Sequence, residues 1–194
     1  MIRDNALNTS GLMSDRMGGG GSKPYDLTES FKPMGHDKGE GLYRRSVYTF
    51  WKRTGPAPVM MALDASKRDV CRAKRETTAT PLQALVLMNG PQFVEAARKL
   101  GESMVREHGD NIHSIIKDMF RKLTSREPSE REIVLMQKLH KEQLANFQKD
   151  NKATEAFLGV GASPNAIDLD KPQVAAAGVL AKALMNFDEA VVKR

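Results

Sequence analysis

From about residue 80 onward, apolar positions recur every three or four residues, the period of a helix with one buried face. Thr80-Pro81-Leu82-Gln83 reads as a helix start. The hydroxyl can accept an amide three residues on, the glutamine can reach back, and proline stands where its missing N–H costs nothing. Leu82, Leu85 and Val86 mark the face this helix is expected to bury. Asn89-Gly90-Pro91 ends it and opens a second helix with the stripe Phe93, Ala97, Leu100 and Met104. A third carries Ile112, Ile115, Ile116, Met119, Phe120 and Leu123 on one side. Ser129-Glu130-Arg131-Glu132 is a second capping box, followed by Ile133, Met136, Leu144 and Phe147. Ala153–Leu158 predicts a further turn or two. Asp170-Lys171-Pro172-Gln173 then starts a last helix, Pro172 to about Asp188, apolar on nearly all sides and therefore expected at the centre. The pattern predicts an all-α fold, a helical bundle of about four to six helices spanning about 80–190.

Before residue 80 the period is lost. Residues 1–42 read as an irregular, Gly/Pro-rich N-terminal arm or linker, with room for a short helix between Ile2 and Met13. The run Gly18–Gly21 followed by Ser22-Lys23-Pro24 has the composition of a flexible connector and lacks the Lys-Ser/Thr that a phosphate-binding loop needs. Residues 43–194 form the mainly helical remainder. Tyr43–Arg53 is ambiguous: its β-branched and aromatic residues suit a strand, while Tyr43, Val47, Phe50 and Trp51 also share a helical face. Helical surroundings tilt the expectation to helix.

Composition adds one localised fact. The net charge of +6 is carried by Tyr43–Glu76, where nine Lys/Arg stand against three acidic residues, and the rest of the chain balances. No apolar run reaches the roughly 18 residues of a membrane span. No signal peptide follows Met1, so the sequence alone reads as cytoplasmic or as an internal fragment. The single cysteine, Cys71, forms no intrachain disulfide and belongs to no CxxC pair that could hold zinc or attach haem. No cofactor is expected.

Long stretches carry a family resemblance. They are Leu42-Tyr43-Arg44-Arg45-Ser46-Val47-Tyr48-Thr49-Phe50-Trp51-Lys52-Arg53-Thr54, Arg75-Glu76-Thr77, and Thr80-Pro81-Leu82-Gln83-Ala84-Leu85 running into Pro91–Ala97. Ile2-Arg3-Asp4, Ser10-Gly11-Leu12, Thr124–Ser129 and Leu184–Glu189 agree with them. Together they resemble the C-terminal portion of the planctomycete-specific domain of unknown function found downstream of cytochrome-c-like domains in large exported proteins. The resemblance implies a truncated chain, a periplasmic or exported location, and haem attachment elsewhere in the parent protein. It implies no reaction; a link to polysaccharide breakdown would be contextual.

Candidate chemistry centres on the basic segment. Arg44, Arg45, Trp51, Lys52, Arg53, Arg72 and Arg75 combine guanidinium groups with aromatic faces. Such a set could grip a sulfated or carboxylated glycan by bidentate bonds and stacking, and less plausibly single-stranded nucleic acid. The competing reading pairs Arg44, Arg53 and Arg75 with Asp64, Asp69 and Glu76, or with the upstream part of the same polypeptide. His108, Asp110 and His113 make a weak metal pattern across a helix break, and His140 reads as a boundary histidine. No paired-carboxylate, Ser-His-Asp or Cys-His constellation stands out. Whether the chain is an enzyme is left open. The expected function is an accessory or interaction domain of a larger exported protein, with an anionic-glycan enzyme part as the alternative.

Overall fold

The computed structural model describes residues 2–25, 27–29, 32–52, 56–66, 71, 73–74 and 78–191. Among them it is an all-α fold. Its elements are α1 (Ile2–Thr9), the two-stranded antiparallel hairpin β1 (Leu27–Glu29) and β2 (Lys32–Met34), and α2 (Pro58–Ala62), then α3 (Pro81–Asn89) and α4 (Pro91–His108). After these come α5 (Ile112–Thr124), α6 (Glu130–Lys149), α7 (Asn151–Leu158), α8 (Lys171–Met185) and the single turn α9 (Asp188–Val191).

Local chemistry sets the helix starts. Both capping boxes form: the Thr80 hydroxyl accepts the Gln83 amide and the Ser129 hydroxyl accepts that of Glu132, each with the reciprocal side-chain bond. Asp170 caps α8, Asn111 caps α5 and Asp150 caps α7. An N-cap of this kind is worth about 1 kcal/mol.

The core is built on α4 and α8, which share the most extensive interface in the fold. Phe93, Ala97, Leu100 and Met104 of α4 are buried as the stripe predicts. Opposite them α8 buries Ala175, Ala176, Ala177, Leu180 and Ala181 completely, so its central placement follows the sequence. Small residues let the axes approach until the backbones touch. A Cβ on Gly101 would lie 2.5 Å from the Gly178 amide nitrogen, and one on Gly178 would lie 2.8 Å from the Phe157 ring. The α5 stripe closes one side of this pair, with Ile115, Ile116, Met119, Phe120 and Leu123 buried. Ile133 of α6 is buried, and Met136 and Phe147 pack against the same core.

Two expectations change. Tyr43–Arg53 is neither an α-helix nor a regular strand over its described residues. It makes 3-10 turns at Gly39–Tyr43 and Ser46–Tyr48, then an extended bridge of Thr49 to Ser22. On α3 the buried side is Gln83 and Leu87, with Val86 partly buried, while Leu82 and Leu85 are 58% and 56% exposed. The cause is polar. Gln83 Nε2 donates to Asp64 Oδ2 at 3.0 Å and to the Thr78 hydroxyl at 3.0 Å, so the glutamine is held inward and Leu87 follows one turn later.

The N-terminal arm is irregular along most of its length, yet it is packed. Arg3, Ala6 and Leu7 of α1 are buried, Ala6 within the main core.

Candidate functional site

Irregular chain leaves backbone carbonyls without ladder partners, and buried carbonyls need donors. In the N-terminal half, arginines supply them. Arg44 is 7% exposed. Its Nη1 donates to the Gly20 carbonyl at 2.7 Å, its Nη2 donates to the Gly18 carbonyl, and its guanidinium lies 4.2 Å from the centre of the Tyr48 ring. The Gly18 amide donates to the Tyr48 hydroxyl at 2.9 Å, closing a loop around the cation. Gly18 and Gly19 have φ of +74° and +81°, a left-handed backbone that explains glycine at both positions; space does not, since a Cβ would meet nothing there. The following residues bridge back, Phe50 N donating to Ser22 O at 2.7 Å and Ser22 N to Tyr48 O at 2.8 Å. The glycine run is thus wrapped on Arg44.

Arg3 does the same one layer in. Its Nη2 donates to the Leu42 carbonyl at 2.6 Å, its Nη1 to the Arg44 carbonyl at 2.8 Å, and its Nε to Gln92 Oε1 at 2.8 Å. Gln92 Nε2 in turn donates to the Pro24 carbonyl at 2.7 Å. Asp4 Oδ1 accepts the Ser46 amide at 2.7 Å and lies 3.7 Å from Arg3 Nη1. The Arg3 guanidinium also sits 5.8 Å from the Tyr25 ring, whose hydroxyl pKa burial pushes up to about 12.

A third node lies on α4. Arg98 has no exposure; it donates to Asn165 Oδ1 and, at 2.7 Å, to the Ser163 carbonyl, with Glu102 Oε2 3.9 Å away. Glu95 Oε1 accepts from the Tyr43 hydroxyl at 2.7 Å and from the Ala162 and Ser163 amides at 2.9 and 2.6 Å. Burial, reinforced by the Glu95 carboxylate, raises the Tyr43 hydroxyl pKa far above its usual range, so it stays a neutral donor. This node clips Tyr43 and the α7–α8 loop to one face of α4.

The described residues among those the sequence singles out differ in exposure. Arg44 is committed to carbonyls, not to Asp64. That carboxylate accepts the Thr78 amide at 2.7 Å, and the bond holds its pKa below the ordinary value. Arg45 is exposed; Trp51 and Lys52 are half-buried and not without partners. Arg53, Arg72 and Arg75 lie outside the described residues. Cys71 is exposed. Burial pulls the His140 pKa down, as a boundary imidazole requires. His108 meets Asp118 and Glu107, away from the Asp110 and His113 of the sequence pattern. Sequence reasoning missed Arg3, Arg98, Glu95 and Glu102. The spacing of Glu95, Arg98 and Glu102 at i, i+3 and i+7 was the available signal.

Several large apolar side chains are exposed, among them Val134 and Leu135 on α6 and a row on α3. Leu82, Leu85 and Met88 are 58%, 56% and 44% exposed and lie along the outer side of α3. A cavity lined by Ala6, Leu87, Phe93 and Leu123 lies where α1 meets the core, but its volume of about 10 Å³ admits little more than one water-sized sphere.

A protein-family profile described as PSD1, Protein of unknown function (DUF1553), matches residues 1–140. The match takes in the whole arginine-held arm together with α1–α5. The chain belongs to this family of uncharacterised function. The matched stretch stops inside α6, whereas α4 packs most extensively on α8, so the folded unit runs past it. Neither the curated proteins nor the solved structures contain a match.

Proposed function

We propose that this chain is an accessory interaction domain of a larger exported planctomycete polypeptide and that the outer face of α3 docks on the region upstream in that same polypeptide. The observation that carries the reading is the exposed apolar row Leu82, Leu85 and Met88 on a helix whose opposite side buries Gln83 and Leu87. Charge supports the choice of partner chemistry. The residues leading into α3, Tyr43–Glu76, hold the whole excess positive charge, which suits a partner surface with an apolar centre and an acidic rim. No helix among the described residues is long and apolar enough to cross a membrane.

The alternative, anionic-glycan binding by the Arg/Trp segment within a polysaccharide-active enzyme, has less support. A sulfate or carboxylate would have to draw the buried Arg44 guanidinium away from two backbone carbonyls and the Tyr48 ring.

The test expresses the upstream region separately and titrates it with this chain. Leu85→Glu should lower affinity by tenfold or more while the circular dichroism spectrum and melting temperature stay those of the parent. Arg45→Glu, on the basic segment, should weaken binding in a salt-dependent way. Unchanged affinity in Leu85→Glu would remove the proposal.

A further inference from the structure

We propose that Glu107, His108 and Asp118 form a site for one divalent transition-metal ion, zinc by the chemistry of its donors, clasping the end of α4 to the middle of α5. Glu107 and His108 are the last two residues of α4, and Asp118 faces them from α5. One ligating atom from each lies within 4.8 Å of the others, the only such group among the described residues. His108 Nε2 and Asp118 Oδ2 are 2.8 Å apart. Donors around a tetrahedral zinc, at bonds of about 2.0–2.1 Å, stand roughly 3.4 Å from one another. A small opening of the His–Asp pair and a swing of the exposed Glu107 side chain reach that spacing. The helices themselves need not move.

Donor type selects the ion. One imidazole with two carboxylates suits zinc and its transition-metal neighbours, whereas calcium and magnesium favour all-oxygen sets. Three protein ligands leave a fourth position for water. Charge is divided: Lys122 Nζ lies 3.6 Å from Glu107 Oε2, a looser contact than a metal bond and a competitor for that carboxylate. The unpaired carbonyls of the last turn of α4 add negative potential beside the ligands. A plain His108–Asp118 contact would account for two of the three groups, and the Lys122 contact is the competing account of the third; convergence of all three ligating atoms within 4.8 Å is what goes beyond either.

The experiment titrates the full chain, stripped with chelator, with Zn²⁺ by calorimetry and with Co²⁺ by visible absorption. One equivalent should bind. His108→Ala and Asp118→Asn should each weaken binding at least tenfold, about 1.4 kcal/mol. The Asn variant keeps a hydrogen-bonding side chain, so a loss there is not a loss of fold. Lys122→Gln should tighten binding several-fold by removing the competing cation, and His113→Ala and His140→Ala should leave it unchanged. Absence of saturable binding at one equivalent, or affinity unmoved by His108→Ala, overturns the assignment.

Discussion

The arm that precedes α2 and the α4–α8 pair solve one problem in opposite ways. Along the inner turns of α4 and α8 the backbone groups are paired within their own helix, so there only side chains must fit, and alanines and glycines bring the axes together. Along the described part of residues 2–52 much of the backbone is irregular, and four of its carbonyls are served by Arg3 and Arg44. In the helical pair, stability is a matter of volume. In the arm it depends on a few cations, each satisfying several groups at once, so each should be hard to replace. Arg98 joins the two regimes, being a fully buried cation on α4 that serves the α7–α8 loop.

The sharpest way to break the contrast is volume in the helical pair. Gly101→Val should cost more than about 4 kcal/mol, because the added Cβ meets backbone on α8 and neither helix can yield alone; urea unfolding measures it, and a loss below about 1 kcal/mol would show that the pair is not rigid. Next is Arg98→Met, which fills the space but leaves the Ser163 carbonyl and Asn165 without their buried donor, while Glu102 keeps Lys99 at 2.8 Å. About 3 kcal/mol should be lost. If the methionine variant is instead as stable as the parent, the node is a packing site and its polarity is incidental.

Arg44→Ala should cost about 2 kcal/mol through loss of its bonds to the Gly18 and Gly20 carbonyls and of its packing on Tyr48. Amide exchange distinguishes the regions: protection should fall at residues 18–22 and 48–50 while α4 and α8 amides keep their rates. Uniform loss across all of them would mean that arm and helices unfold as one unit. Arg44→Lys should not restore protection, since an ammonium lacks the fork that spans two carbonyls.

The smallest effect is electrostatic. The Arg126 guanidinium donates to Glu132 at 2.6 Å and, with the Ser129 cap bonds, holds the Glu132 pKa at about 2, below its ordinary 4.5. A depressed folded-state pKa gives stability that is present above about 4.5 and is lost as pH falls through about 2. Glu132→Gln should therefore cost about 1 kcal/mol at neutral pH, and the difference should shrink as pH falls through about 2 in acid melts. A gap that does not shrink over that range would assign the effect to the cap geometry and not to charge.

Much of the fold was legible because its determinants are local. The capping boxes at Thr80 and Ser129, the proline starts and the stripes of α4 and α5 act within a few residues, so spacing alone finds them. The face of α3 was not legible. Leu82, Leu85 and Val86 outnumber Gln83 and Leu87 in hydrophobicity, but a hydrogen bond from Gln83 to Asp64, nineteen residues away, sets the rotation. The placement of Arg44 was not legible for the same reason. Clustered arginines look alike in sequence whether they face solvent, as Arg45 does, or turn inward onto backbone carbonyls, as Arg44 does. Likewise His108 finds Asp118 one helix along, whereas sequence proximity offered Asp110 and His113.

By itself the sequence determined where helices begin, which of them are amphipathic, that α8 is apolar enough to be central, and where the positive charge lies. These follow from short-range propensity and periodicity. Only the tertiary structure decided what the irregular half does with its polar groups: which arginines are buried, which carbonyls they serve, and which apolar face is left uncovered on α3. An unpaired carbonyl can be satisfied by any donor that folding brings within about 3 Å, and no spacing in the chain specifies which one arrives.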